Sequence, residues 1–180
     1  MKELSLNILD IVQNSIKAKA SLVGINIIED DETLEITISD NGCGMKADFL
    51  ATVTDPFSTT RTTRKVGLGI PFLKLQAEQT GGSLNITSRH ESEYPETHGT
   101  ETKALYYKNH IDMTPLGDIV ATVVTLIQCN PHIDFNFYHK ICEKEIVLDT
   151  RQMREILGDI PLNSAEVIGW VSESLSEQYK

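Results

Sequence analysis

TLEITISDNGCGM, residues 33–45, is the stretch on which the reading of this chain turns. Its first eight residues are rich in β-formers, and with LVGINIIED before them, across the acidic turn from Glu29 to Glu32, they predict an antiparallel hairpin. The strand ends at Asp40-Asn41-Gly42-Cys43-Gly44. Asp and Asn followed by Gly is ordinary turn chemistry, so taken alone the segment says only that a strand stops there. Its neighbours on both sides give it further meaning.

Upstream, Ile8, Leu9, Val12, Ile16 and Ala20 fall on one arc at about 100° per residue, predicting an amphipathic helix over Leu4 to Ala20. Asp10, Asn14 and Lys17 stack on the opposite face at i, i+4 and i+7, either as a solvated surface or as a set of polar ligands. Downstream, a short helix is expected around Lys46 to Val53. DPFSTTRTTRKVGLG then has neither helical nor strand period and reads as a loop. Arg61, Arg64 and Lys65 give Ser58 to Val66 a local charge of +3 in a chain of formal net charge −10. Such a cluster calls for a counter-charge, and a polyphosphate would supply one. Gly67-Leu68-Gly69 leads into a helix over Ile70 to Thr80, which Gly81-Gly82 stops. Glycines at that entry either make a plain loop or let backbone N–H groups approach a phosphate at the positive end of the helix dipole. SLNITSR and THGTETKALYY are two further strands, flanking the polar loop ESEYPETH.

From about Lys108 the pattern changes, and KNHIDMTPLG reads as a connector into a second unit. There a helix is expected over Leu116 to Gln128, ended by Asn130-Pro131. Ile133, Phe135 and Phe137 alternate with polar residues as in a half-buried strand, and Glu145 to Leu148 would pair with it. A short helix over Thr150 to Leu157 follows. Asn163 with Glu166 resembles a capping box opening a last helix, in which Val167, Val171 and Leu175 share a face. The expected organisation is a first domain over residues 1–108 and an αββαα extension over 109–180. Trp170 reads as a core or interface anchor, and His110, His132 and His139 lack the spacing of a metal pair.

Composition limits the function. With 26 Asp and Glu against 16 Lys and Arg, the 180-residue chain is not a broadly basic nucleic-acid binder, while 40% hydrophobic and 23% charged residues suit a packed core. Ile119 to Ile127, its longest apolar stretch, is far too short to span a bilayer. The opening MKELSLNILD lacks the features of a signal peptide, and Cys43, Cys129 and Cys142 are odd in number without CxxC spacing. A cytoplasmic protein with reduced thiols is expected, with neither membrane nor direct nucleic-acid contact.

Taken in order, DIVQNSIKAKA, DNGCGM, DPFSTTR, VGLGI and GTETKALYY resemble the asparagine box, first glycine box, phenylalanine box, second glycine box and closing Gly-Thr strand of the GHKL superfamily. That superfamily comprises DNA gyrase B, heat-shock chaperone ATPases, histidine-kinase catalytic domains and MutL, and the resemblance covers residues 4–107. It implies a two-layer α/β sandwich, the Bergerat fold, with helices on one face of a mixed sheet and ATP beneath a lid. Asn14 is similar to the family's Mg²⁺ ligand, since an amide oxygen is a hard donor. Asp40 looks like the adenine reader, because a carboxylate accepts from an exocyclic amine and rejects guanine's carbonyl. The resemblance also assigns Gly42, Gly44 and Met45 to the base and Gly67, Leu68 and Gly69 to the phosphates. Thr100 would back Asp40 through water, and Lys17, Arg61, Arg64 and Lys65 would be phosphate contacts.

Two departures qualify this. The family's hydrolytic members carry a glutamate general base four residues before the asparagine, and here that residue is Asp10, one methylene shorter. Little intrinsic hydrolysis is therefore expected, although ATP binding is not affected by the change. No helical hairpin bearing a phosphoacceptor histidine precedes the asparagine box, so a complete conventional kinase is not expected. His90-Glu91-Ser92-Glu93-Tyr94-Pro95 copies the phosphoacceptor spacing, but it lies in a short acidic loop without helical period. The resemblance implies a Mg-ATP-binding regulatory protein that acts on a partner protein as a kinase or as a nucleotide-dependent binding module. An alternative is a MutL-like ATPase clamp that dimerises on ATP. NSIKAKA, similar to that family's NSLDAGA, and the Phe-rich NPHIDFNFYHKICEKEIVL, similar to the start of the MutL transducer, suggest it.

Overall fold

β1 (Leu22–Glu29) and β2 (Thr33–Asp40) form the expected antiparallel hairpin, with Val23 opposite Asp40 at its open end. Asp30 holds the turn by accepting hydrogen bonds from the N–H groups of Thr33 and Glu32, which keep its carboxyl below the usual carboxylate range. The computed structural model describes residues 3–55 and 69–180. Before the hairpin lies α1 (Leu4–Lys17). After it come α2 (Ala47–Leu50), α3 (Gly69–Gln79), β3 (Ser83–Arg89) and β4 (Gly99–Tyr107). The remaining elements are α4 (Ile119–Cys129), β5 (Asp134–Ile141), β6 (Lys144–Asp149), α5 (Thr150–Leu157) and α6 (Ala165–Tyr179).

The six strands of the described residues belong to one sheet, in the order β3-β4-β2-β1-β5-β6. Every neighbouring pair is antiparallel except β1 and β5, which run parallel with Leu22 beside Asp134. The change of pattern near residue 108 is therefore not a boundary of the sheet, because the β5–β6 hairpin continues the sheet from its β1 edge. Alternation sets the layers. Val23, Ile25 and Ile27 of β1, Leu34, Ile36 and Ile38 of β2, and Phe135 and Phe137 of β5 are buried against the helices, while their sequence neighbours are only partly covered or exposed. The result is a two-layer α/β sandwich around a mixed sheet.

The helices dock by the faces their sequences specify. Leu4, Ile8, Ile11 and Val12 of α1 are buried, whereas Leu9 and Ile16 are half-buried at the edge of the arc. The first N–H groups of α1 have no side-chain cap; instead Leu4 and Ser5 donate to the carbonyls of Pro115 and Leu116, at 2.9 and 2.8 Å. The connector thus caps the first helix. A buried hydrogen bond from Asn7 Nδ2 to Gln76 Oε1, extended from Gln76 to Thr114 Oγ1 at 3.1 Å, ties α1, α3 and the connector together. Leu73 of α3 is buried, but Leu75 is exposed. The expected capping box at Asn163 does not form, for Ser164 is the N-cap of α6 and makes no side-chain cap bond. Trp170 is 55% exposed and is not a core residue. Among the described residues no helix is long and apolar enough to cross a membrane, and all three cysteines are free.

His139 of β5 is a buried titratable group, 1% exposed, with Nδ1 2.6 Å from the Tyr179 hydroxyl and Nε2 3.5 Å from Glu29 Oε2. Glu29 is itself engaged by Lys108 Nζ at 2.8 Å. Burial pushes the imidazole below its ordinary value, against the pull of Glu29. The unfolded chain therefore takes up a proton near pH 6.5 before the folded chain does, and stability is lost as the pH falls below that value. Urea midpoints at pH 7.5 and pH 5 are expected to differ more for the wild type than for His139→Gln. An equal drop in both would show that burial of this ring is not linked to protons.

Candidate nucleotide site

Asp40 is the last residue of β2 and sits opposite Thr100 of β4, which in turn sits opposite Ser88 of β3. This row lies at one end of the sheet, where α1 crosses it. Ser15 Oγ donates to Asp40 Oδ2 at 2.6 Å, and the Gly42 N–H donates to Oδ1 at 2.9 Å. Both oxygens are thereby oriented, with lone pairs left for another donor. Thr100 does not touch the carboxylate; its hydroxyl is 2.8 Å from Ser88 Oγ, which also accepts from the Met45 N–H at 2.8 Å.

The loop after Asp40 is pinned from three sides. Cys43 N–H donates to the Ala18 carbonyl at 2.8 Å, the Gly42 carbonyl lies 2.6 Å from His98 Nδ1, and the Asn41 side chain accepts from the N–H groups of Ser21 and Leu22. A Cβ on Gly42 would come within 2.8 Å of both the Cβ and the carbonyl oxygen of Ala18, so only glycine lets the loop pass so close to α1. Gly44 has φ +69, and a Cβ there would lie 2.0 Å from the Arg89 carbonyl oxygen. Gly44→Ala is expected to destabilise the fold by at least about 1 kcal/mol and to weaken nucleotide binding with it. Urea denaturation and calorimetry check this. An unchanged midpoint would mean that the loop relaxes freely.

These elements enclose a cavity of about 520 Å³, within the range of small-molecule sites. Ile11 and Asn14 of α1, Ile38 and Asp40 of β2, and Thr100 and Thr102 of β4 form one side. Met45, Phe49 and Val53 from the segment after β2 form another, and Gly69, Ile70 and Pro71 at the start of α3 close the end. Lys17 and Lys46, both exposed, bring two ammonium groups to the lining of a site in an acidic chain.

Sequence reasoning therefore located much of this lining, with adjustments. Asn14, Lys17, Asp40, Gly44, Met45, Gly69 and Thr100 line the cavity, and Gly42 supports it from behind. Asp10 does not line it, but a Cβ on Gly69 would lie 3.8 Å from Asp10 Oδ2 and 3.9 Å from Asn14 Nδ2, so α3 starts directly over both. Arg61, Arg64, Lys65, Gly67 and Leu68 lie outside the described residues. Ser15, Ser88 and His98 were missed. Ser15 carried a signal, as the residue beside Asn14 on the same helix, whereas Ser88 and His98 become relevant only through strand register. His90 belongs to the turn after β3, as the loop reading expected, yet it also lines the cavity.

Among the described residues no three His, Cys, Asp or Glu side chains gather as a metal nest. Mg²⁺ carried on a nucleotide needs only one or two protein oxygens beside phosphate and water. Asn14 fits that demand: it lines the cavity, it offers a hard amide oxygen, and its side chain makes no hydrogen bond among the described residues.

A family profile described as histidine kinase-, DNA gyrase B-, and HSP90-like ATPase matches residues 2–107, ending on the last residue of β4. A Rickettsia bellii (strain RML369-C) protein described as an NtrY-like sensor histidine kinase is 26% identical over 90 residues. That match covers 49% of this chain and 15% of the relative, so the chain corresponds to a small part of that protein's length. Among solved structures, the fold is similar to the Aquifex aeolicus MutL ATPase domain complexed with ADP, with a TM-score of 0.53 and 13% identity over 98% of this chain and 70% of that one. It is also similar to the N-terminal domain of a DNA repair protein, with a TM-score of 0.51 and 17% identity over 83% of this chain and 53% of the other. At these identities the structural likeness is one of fold.

Proposed function

Because this chain belongs to the family of histidine kinase-, DNA gyrase B- and HSP90-like ATPases and is an ATP-binding domain of that kind, we propose that its cavity holds Mg-ATP with the adenine at Asp40 and the phosphates toward Asn14. The observation that carries this assignment is the doubly anchored Asp40 carboxylate in the wall of the cavity. Held by two donors, it presents acceptor lone pairs in a fixed direction, which suits an exocyclic amine and repels a carbonyl. Asn14, beside Gly69 at the start of α3, would hold the metal ion, which when bound supplies positive charge across the phosphates. Lys17 and Lys46 add positive charge near the same cavity. Arg61, Arg64, Lys65, Gly67 and Leu68 are proposed phosphate contacts on sequence grounds. Calorimetry with ATP, ADP and GTP in Mg²⁺ tests the reading: ATP and ADP are expected to bind well below millimolar and GTP more weakly. Equal affinity for GTP would remove Asp40 from its role.

The biological output proposed is regulatory and cytoplasmic: the ATP-bound domain acts on a partner protein, by phosphoryl transfer or by presenting a nucleotide-dependent surface. The shorter carboxylate at Asp10 supports an output other than rapid hydrolysis. Incubation with γ-labelled ATP and cell lysate separates the two forms, since a labelled partner indicates a kinase and nucleotide-dependent retention without label indicates a binding module.

A second reading is an ATPase clamp that dimerises on ATP. It rests on the NSIKAKA segment at and beyond the end of α1 and on a fold likeness that reaches through the C-terminal elements. Light scattering with a non-hydrolysable ATP analogue decides it: a doubled mass favours the clamp, and an unchanged mass removes it.

A further inference from the structure

Away from the nucleotide cavity, α5 and α6 leave an apolar groove of about 330 Å³ between them. Met153, Leu157 and Val167 form its floor, while Ile156, Ile160 and Trp170 stand along it at 87, 54 and 55% exposure. These are large hydrophobic side chains held in water, which isolated surface positions do not explain. Glu166 lines the groove with them, and the stretch of sequence that builds it is acidic. Between Glu155 and Glu173 the chain carries Glu155, Asp159, Glu166 and Glu173, all exposed, and no Lys or Arg. The two cations of α5 are turned to other work, Arg151 onto Asp149 at 2.6 Å and Arg154 onto Asp134 at 2.7 Å.

We propose that this groove docks an amphipathic helix of a partner protein whose apolar face is flanked by Lys and Arg. Anchors spaced i, i+3 or i+4 would enter between Ile156, Ile160 and Trp170, and the basic flanks would meet the acidic rim. Charge complementarity selects this occupant over a second copy of the chain, because two copies would bring two acidic rims together within a molecule of net charge −10.

Trp170, the chain's single tryptophan, is a built-in reporter. The probe is an 18-residue Leu/Lys peptide with leucines at i, i+3, i+4 and i+7, titrated into the full chain, with a scrambled peptide of equal composition as control. Saturable one-to-one binding with a blue shift of Trp170 emission is expected, at least 10-fold tighter for the amphipathic order. Ile156→Glu distinguishes docking from attraction by the acidic surface as a whole. Docking predicts at least 10-fold weaker binding despite the added negative charge, whereas general attraction predicts equal or tighter binding and would overturn the proposal. Ile156 is almost fully exposed, and an unchanged urea midpoint verifies that the variant folds. A dimer in sedimentation velocity that Ile156→Glu dissociates and the peptide fails to displace would assign the groove to a second copy instead.

Discussion

Asp40→Asn is expected to weaken ATP binding about 10- to 100-fold and to reverse the preference for adenine over guanine. A hydrogen bond to a charged group is worth about 1.5–3 kcal/mol, which sets the size of the loss. The reversal follows from the two donors already aimed at the side chain. The Gly42 N–H is fixed and can only donate, so the amide oxygen of the variant must face it. The Ser15 hydroxyl can rotate and accept from the amide nitrogen, whose second N–H is then offered to the base. Adenine meets that donor with its own amine, but guanine meets it with a carbonyl. Calorimetry of ATP and GTP on both proteins measures the change, and an unaltered ratio would place the base elsewhere. Ser15→Ala keeps the charge and loses one anchor, so its effect is expected to be smaller and to leave the preference for ATP intact.

The second large effect concerns turnover. If Asp10 stands where a glutamate base stands in hydrolytic relatives, its oxygen stops about 1.5 Å short, one carbon–carbon bond. General-base catalysis contributes about 10²–10⁴-fold and depends on hydrogen-bond reach, so the wild type is expected to hydrolyse ATP slowly and Asp10→Glu to raise the single-turnover rate about 10²-fold. The placement of Gly69 over both Asp10 and Asn14 is consistent with a shared role at the phosphate end. Asn14→Ala is expected to abolish the Mg²⁺ dependence of binding. A wild-type rate of about one per second, lost in Asp10→Ala, would show that the shorter carboxylate reaches the water and is a competent base.

What the sequence disclosed follows the range of the interactions concerned. The inward face of α1 was legible in the spacing of Ile8 and Val12, although the helix ends at Lys17 and not at Ala20, and the β1–β2 hairpin was legible in the acidic turn, since local periodicity and turn chemistry suffice for both. Asp40, Gly44 and Asn14 were legible because glycine-bounded loops and helix faces leave marks in short segments. The parallel pairing of β1 with β5 was not, for nothing within either strand names its partner. Ser88 and His98 were hidden for the same reason: each matters through a neighbour across the sheet, Thr100 for one and Gly42 for the other. The exposure of Trp170 depends on how α5 packs beside α6, and the helical period alone does not reveal it.

The parallel β1–β5 seam also orders events on the ribosome. Leu22 emerges before its neighbour Asp134, which lies beyond the last residue of the ATPase family match and leaves the exit tunnel after it. Until then the eight-residue edge of β1 is bare, a template for pairing with another chain. Closing so long a loop is entropically costly and slow, so the nascent protein passes through a window in which the whole of the family match hangs on an unfinished sheet. Synthesis and folding of the last third of the chain end that window, and ATP arriving earlier would meet a site whose supporting sheet is still open.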